Sequence, residues 1–114
     1  MAKVAIIYCG QYVNSGFGCP GEWRCHKAAA LGEGNFQEPS QIIFWIKCEC
    51  PGHTILSNTK MAMKLAEIKP DAIYLSSCMV NSWPKCPYFD LNELEQKLKE
   101  SFQLPIIKGT HSYK

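Results

Sequence analysis

Seven cysteines (Cys9, Cys19, Cys25, Cys48, Cys50, Cys78 and Cys86) and three histidines (His26, His53 and His111) carry most of the chemistry available to this 114-residue chain. Thiolates and imidazoles ligate zinc and iron–sulfur clusters, and thiolates also exchange disulfides. The compartment decides among these uses. An oxidised secreted scaffold is usually short, loop-rich and even in its cysteine count, and it follows a leader peptide. Here the count is odd, and the apolar run at the N-terminus, Val4 to Tyr8, is too short for a signal sequence. No stretch reaches the roughly 20 apolar residues that cross a bilayer. The chain therefore reads as a cytoplasmic protein whose cysteines are thiols, ligands or redox groups. Twelve basic against ten acidic residues give a net charge of +2, too weak a field to gather nucleic-acid phosphates.

Three of the seven cysteines precede proline, in Cys19-Pro20, Cys50-Pro51 and Cys86-Pro87. Proline keeps the residue before it extended and favours the first position of a helix, so each of these thiols is expected near a helix N-terminus, where thiolate is stabilised. Cys48-Glu49-Cys50 is spaced more tightly than the usual pairs of structural zinc sites. It could bind one ion, form a strained disulfide or serve two sites. The other spacings are too wide for local knuckles, so the fold must assemble any site.

The elements that would do so are legible. Four apolar runs read as strands: Lys3 to Cys9, Gln41 to Cys48, Ala72 to Cys78 and Pro105 to His111. The nearly continuous apolar stretches Val4-Ala5-Ile6-Ile7-Tyr8 and Ile42-Ile43-Phe44-Trp45-Ile46 suit parallel strands covered on both faces. Helical patterns lie between them. The first runs from about Glu22 to Leu31 and ends at Gly32 or Gly34. The second begins near Cys50-Pro51-Gly52, carries Ile55, Thr59, Ala62 and Ala66 on one stripe and stops before Pro70. The third runs from Leu91 to Phe102, with a capping-box-like start at Asp90 and Glu93 and an apolar stripe of Leu91, Leu94, Leu98 and Phe102. Alternation of this kind predicts a single small α/β domain over residues 1–114. Its expected core is a four-stranded parallel sheet of order 2-1-3-4 with flanking helices, flavodoxin-like or Rossmann-like.

In such sheets ligands bind beyond the C-terminal ends of the strands, where strand order reverses. Cys9, Cys48 with Cys50, Cys78 and His111 are expected at those ends, and Cys19, Cys25 and Cys86 in or just after the loops on the same edge. Core cysteines acting as small hydrophobes would instead scatter along the elements. Eight positions thus form the candidate ligand pool: Cys9, Cys19, Cys25, Cys48, Cys50, Cys78, Cys86 and His111. His26 reads as a surface histidine, and His53 is placed near the crevice. Trp23, Trp45 and Trp83 read as packing residues, with Trp83 and Tyr88 flanking Cys86 and able to cover a site.

Several motifs, in this order, resemble the CGGC domain family. They are Cys9, Cys19-Pro20-Gly21, Cys25 with Lys27-Ala28, Cys50-Pro51-Gly52, Leu75-Ser76-Ser77-Cys78, Cys86-Pro87 and Ile107-Lys108-Gly109-Thr110-His111. The resemblance covers nearly the whole chain and implies a metal-binding domain, with zinc suggested by the family's many Cys and His residues. One departure stands out. Where the family has Cys-Gly-Gly-Cys, this chain has Lys47-Cys48-Glu49-Cys50, so Lys47 takes the first cysteine's place and Cys48 stands one step along. On a regular strand, one step changes the face.

Three functions compete. The first is metal binding, with zinc as the expected ion and four ligands drawn from the pool. The second is a thiol redox or iron–sulfur cluster protein, motivated by the Cys-Pro pairs and by Cys48 and Cys50. The third is nucleotide or flavin binding through Gly16-Phe17-Gly18-Cys19-Pro20-Gly21, which matches a dinucleotide-binding fingerprint literally. Against this third reading, its first glycine comes seven residues after the strand, and Pro20 removes a backbone donor from the loop. No Ser-His-acid arrangement, paired-carboxylate pattern or lysine-bearing phosphate loop stands out, and Ser76, Ser77 and Asp90 have ordinary structural readings.

Overall fold

The computed structural model describes residues 2–9, 23–48, 55–77 and 91–110. In chain order these form β1 (Ala2–Cys9), α1 (Trp23–Leu31), β2 (Ser40–Cys48), α2 (Ile55–Ala66), β3 (Ala72–Leu75), α3 (Leu91–Phe102) and β4 (Ile106–Lys108). The four strands make one parallel sheet in the order β2-β1-β3-β4, as the alternating pattern predicts.

The central strands β1 and β3 are buried on both faces over Val4–Ile7 and Ala72–Leu75, whereas the edge strands leave Gln41 and Lys108 exposed, and the side-chain period of two sorts the core into two layers. On one face Ala5, Ile7, Ile46, Ile73, Leu75 and Ile106 pack with Ile55 of α2 and with Leu94, Leu98 and Phe102 of α3. On the other, Val4, Ile6, Ala72 and Tyr74 pack with Cys25, Ala28 and Ala29 of α1 and with Phe36. Helix α1 therefore covers one face, and α2 and α3 cover the other. This is the doubly wound arrangement, in which strand order reverses between β1 and β3.

The helix ends follow from local chemistry. Helix α1 closes in a Schellman motif: the Gly32 N–H donates to the Ala29 carbonyl and the Glu33 N–H to the Ala28 carbonyl. Gly32 takes φ of +69°, and a Cβ there would come within 2.8 Å of the Glu38 and Pro39 backbone. Helices α2 and α3 end instead on non-glycine residues in the left-handed region, Glu67 (φ 59°) and Gln103 (φ 56°). Their N–H groups donate to the carbonyls of Met63 and Lys99. Thr59, fully buried in α2, returns its hydroxyl proton to the Ile55 carbonyl at 2.7 Å, so its own hydroxyl is not stranded.

Two strands are shorter than the sequence pattern predicts. Strand β3 stops at Leu75, three residues before Cys78, and β4 stops at Lys108, three residues before His111. In β4 the cause is Gly109, whose φ of +98° turns the chain out of the extended region. In β3 the backbone is already helical at Ser77. The expectation that all four strands end in a candidate ligand thus holds for Cys9 and Cys48, whereas at β3 and β4 small polar residues intervene. The predicted start of the second helix at residues 50–52 and the cap at Asp90 lie outside the described residues. No described helix is long and apolar enough to cross a membrane.

Candidate metal centre

Strands β1 and β2 bring two candidate ligands together by register. Their ladder begins with Ala2 opposite Ser40 and ends with Cys9 opposite Cys48. Between Val4 and Ala5 the register shifts by one: Val4 pairs with Ile42, but Ala5 pairs with Phe44, leaving Ile43 as the extra residue. Without that shift Cys9 would face Lys47. With it, Cys48 is the residue across from Cys9, on strands that lie about 4.8 Å apart. Register shifts are rare in parallel pairs, and bulges in general re-aim positions beside functional sites.

At the far side of the switch point, α1 contributes Cys25. It lies in the first turn of the helix, the end whose dipole favours an anion, and is 5% exposed and not disulfide-bonded. Its Sγ is 3.1 Å from Thr110 Oγ1, a contact in which either group can donate. Thr110 is in turn locked to Ser77. The Thr110 N–H donates to Ser77 Oγ at 2.9 Å, the Ser77 N–H donates to Thr110 Oγ1 at 3.3 Å, and the two hydroxyl oxygens are 3.4 Å apart. Ser77 is 1% exposed and Thr110 is fully buried. The next residues along the chain are Cys78 and His111.

The loop after α1 clamps the same strand exit. The Asn35 N–H donates to the Thr110 carbonyl at 3.2 Å, and Asn35 Nδ2 donates to the Lys108 carbonyl at 3.2 Å. Gly109 sits between these two acceptors and donates its own N–H to the Leu75 carbonyl at 2.7 Å. A Cβ on Gly109 would come within 2.8 Å of Asn35 Nδ2 and displace that side chain from the Lys108 carbonyl, while the φ of +98° is the firmer reason for glycine.

Of the eight pool residues, the structure therefore places Cys9 and Cys48 as register partners at the ends of β1 and β2, and Cys25 at the exits of β3 and β4. Cys19, Cys50, Cys78, Cys86 and His111 lie outside the described residues, as do His53, Trp83, Tyr88 and the glycine-rich segment 16–21. Among the described residues no three His, Cys, Asp or Glu side chains converge on one point. His26 is exposed, as expected, with its ring 4.7 Å from that of Trp45, which also meets Tyr8 edge-on at 5.8 Å. Trp45 is partly buried against the α1 layer, confirming it as a packing residue. Ser77, Thr110 and Asn35 are absent from the sequence-based pool. The available signal was the pairing of a small hydroxyl residue with the candidate ligand after it, Ser77 with Cys78 and Thr110 with His111.

Residues 3–111 match the CGGC domain. The chain belongs to the CGGC domain family. An uncharacterized protein of the archaeon Methanocaldococcus jannaschii is 33% identical over 116 aligned positions, which cover 96% of this chain and 87% of that protein. No solved structure matches the chain. The CGGC family is described as metal-binding, and the donor chemistry at this edge agrees. Thiols suit a borderline-soft divalent ion, and the Cys25 thiol is buried within hydrogen-bond distance of Thr110.

Proposed function

We propose that this CGGC-domain protein binds a metal ion, zinc, at the C-terminal edge of its sheet, with four ligands drawn from Cys9, Cys19, Cys25, Cys48, Cys50, Cys78, Cys86 and His111. The observation that carries the reading is the gathering of chain segments at the switch point. Cys9 and Cys48 close the β1–β2 ladder, and Cys25 is bonded to Thr110, one residue before His111. Thr110 is bonded to Ser77, one residue before Cys78. These contacts support a site assembled at one edge from residues scattered over the sequence, as the lack of local knuckles requires.

Four thiolates, or three with His111, would form a closed tetrahedral site. A closed site stabilises the fold directly, since ligands from four segments are tied by one ion. A reducing cytoplasm fits a protein that keeps its thiols for this purpose. Elemental analysis of protein purified without added metal tests the reading: about one zinc per chain is expected, and a value well below one counts against it.

The Cys9–Cys48 register also favours a second reading, in which these thiols exchange disulfides or help hold an iron–sulfur cluster. Anaerobic purification separates it from the first. A brown protein supports a cluster, fast thiol reaction without metal supports redox chemistry, and a colourless protein holding zinc excludes both.

A further inference from the structure

We propose that the Thr110 hydroxyl is a positioning group for the metal site, holding the Cys25 sulfur in place and tying together the two strand exits from which Cys78 and His111 continue. The proposal rests on the metal-binding reading above.

Hydrogen-bond accounting assigns the role to a hydroxyl in particular. Thr110 Oγ1 accepts the Ser77 N–H at 3.3 Å and lies 3.1 Å from Cys25 Sγ. A hydroxyl has one proton and two lone pairs, so it can accept from a thiol or donate to a metal-bound sulfur without moving. The contact therefore persists in either state. An isosteric valine would leave the buried Ser77 N–H without this acceptor and the sulfur without this partner.

The same group is rigidly held. Thr110 is fully buried, its N–H is bonded to Ser77 Oγ, and its carbonyl is bonded to Asn35. Cys25, from α1, is thereby referenced to β3 and β4, which reach it from the opposite end of the sequence. Groups that hydrogen-bond to ligating side chains typically change metal affinity by about 10–100-fold when removed.

Zinc affinity by chelator competition, with Co2+ as spectroscopic probe, compares wild type with Thr110→Val and Thr110→Ser. Thr110→Val should lose about 10–100-fold in affinity and shift the sulfur-to-cobalt charge-transfer band, and Thr110→Ser should restore both. A folded Thr110→Val variant with wild-type affinity and spectrum overturns the role, as does a Thr110→Ser variant equally impaired. Where Thr110→Val does not fold, Ser77→Ala, which keeps the Cys25 contact and the Ser77 N–H bond but removes both Ser77 Oγ contacts to Thr110, should weaken zinc binding. Unchanged affinity in that variant likewise overturns the proposal. Wild-type protein that takes up no zinc overturns the metal reading and this role together, whereas wild-type uptake with an unaltered valine variant overturns the role alone.

Discussion

Cys25 Sγ and Thr110 Oγ1 lie 3.1 Å apart although 85 residues separate them in the chain. The contact joins the first turn of α1 to the exit of β4, the last strand of the sheet. It sits on the α1 face, where Cys25 packs with Ala28, Ala29 and Phe36. Burial makes the contact costly to lose, because a buried hydrogen bond that is removed is not replaced by bulk water.

Gly109 is the backbone condition for that contact. Gly109→Ala would place a Cβ against Asn35 Nδ2 at a φ of +98° that L-residues rarely adopt. Loss of about 1–3 kcal/mol of stability is expected, read as a lower midpoint in urea. An unchanged midpoint would show that the strand exit tolerates displacement of Asn35.

The bulged register makes a distinction between neighbours. Cys48 is the partner of Cys9, and Lys47 is the partner of Tyr8. Cys48→Ser should weaken zinc binding at least about 10-fold, whereas Lys47→Ser should leave it unchanged in the same chelator titration. Equal effects of the two substitutions would remove the register from the argument.

Helices α2 and α3 each carry strain at their last turn, on the exposed residues Glu67 and Gln103. Gln103→Gly should relieve the left-handed penalty and raise stability by about 1 kcal/mol, and Glu67→Gly should do the same. Differential scanning calorimetry should show a higher Tm for each, and a lower Tm would mean that chain entropy outweighs the strain. Leu98→Ala, at a fully buried position on the inner face of α3, should cost about 2–5 kcal/mol in the opposite direction.

Tyr74 gives the fold an alkaline limit. Burial holds its hydroxyl above the ordinary value of 10.0, and the nearby Glu38 carboxylate adds to the effect. In the unfolded chain the group ionises first as pH rises, so its contribution to stability is complete below pH 10.0 and is lost as pH climbs through the higher folded value. Stability followed by urea titration should fall above that point, and Tyr74→Phe should flatten the fall. An equally steep fall in the variant would assign it to other groups.

The sheet order and the helix bodies were legible in the sequence because they are written in periodic apolar patterns. The continuous run from Val4 to Tyr8 demands a strand covered on both faces, and the stripe of Leu94, Leu98 and Phe102 fixes the buried face of α3. The ends of β3 and β4 were not legible, because Leu75-Ser76-Ser77-Cys78 and Ile107-Lys108-Gly109-Thr110-His111 continue in residues compatible with extended chain. Only a positive φ at Gly109 and a helical turn at Ser77 end the strands. The shift at Ile43 left no trace either, since Ile42, Ile43 and Phe44 are all apolar and any register would look alike. For the same reason the sequence gathered the thiols at one edge but missed Thr110 and Ser77, whose importance comes from burial and from contacts made across the fold.

Zinc K-edge absorption, measured together with the zinc-to-protein ratio on wild-type protein purified without added metal, tests the central claim most directly. About one ion per chain is expected, in a four-coordinate shell dominated by sulfur at about 2.3 Å. A ratio well below one, or a shell of oxygen and nitrogen without sulfur, would contradict it.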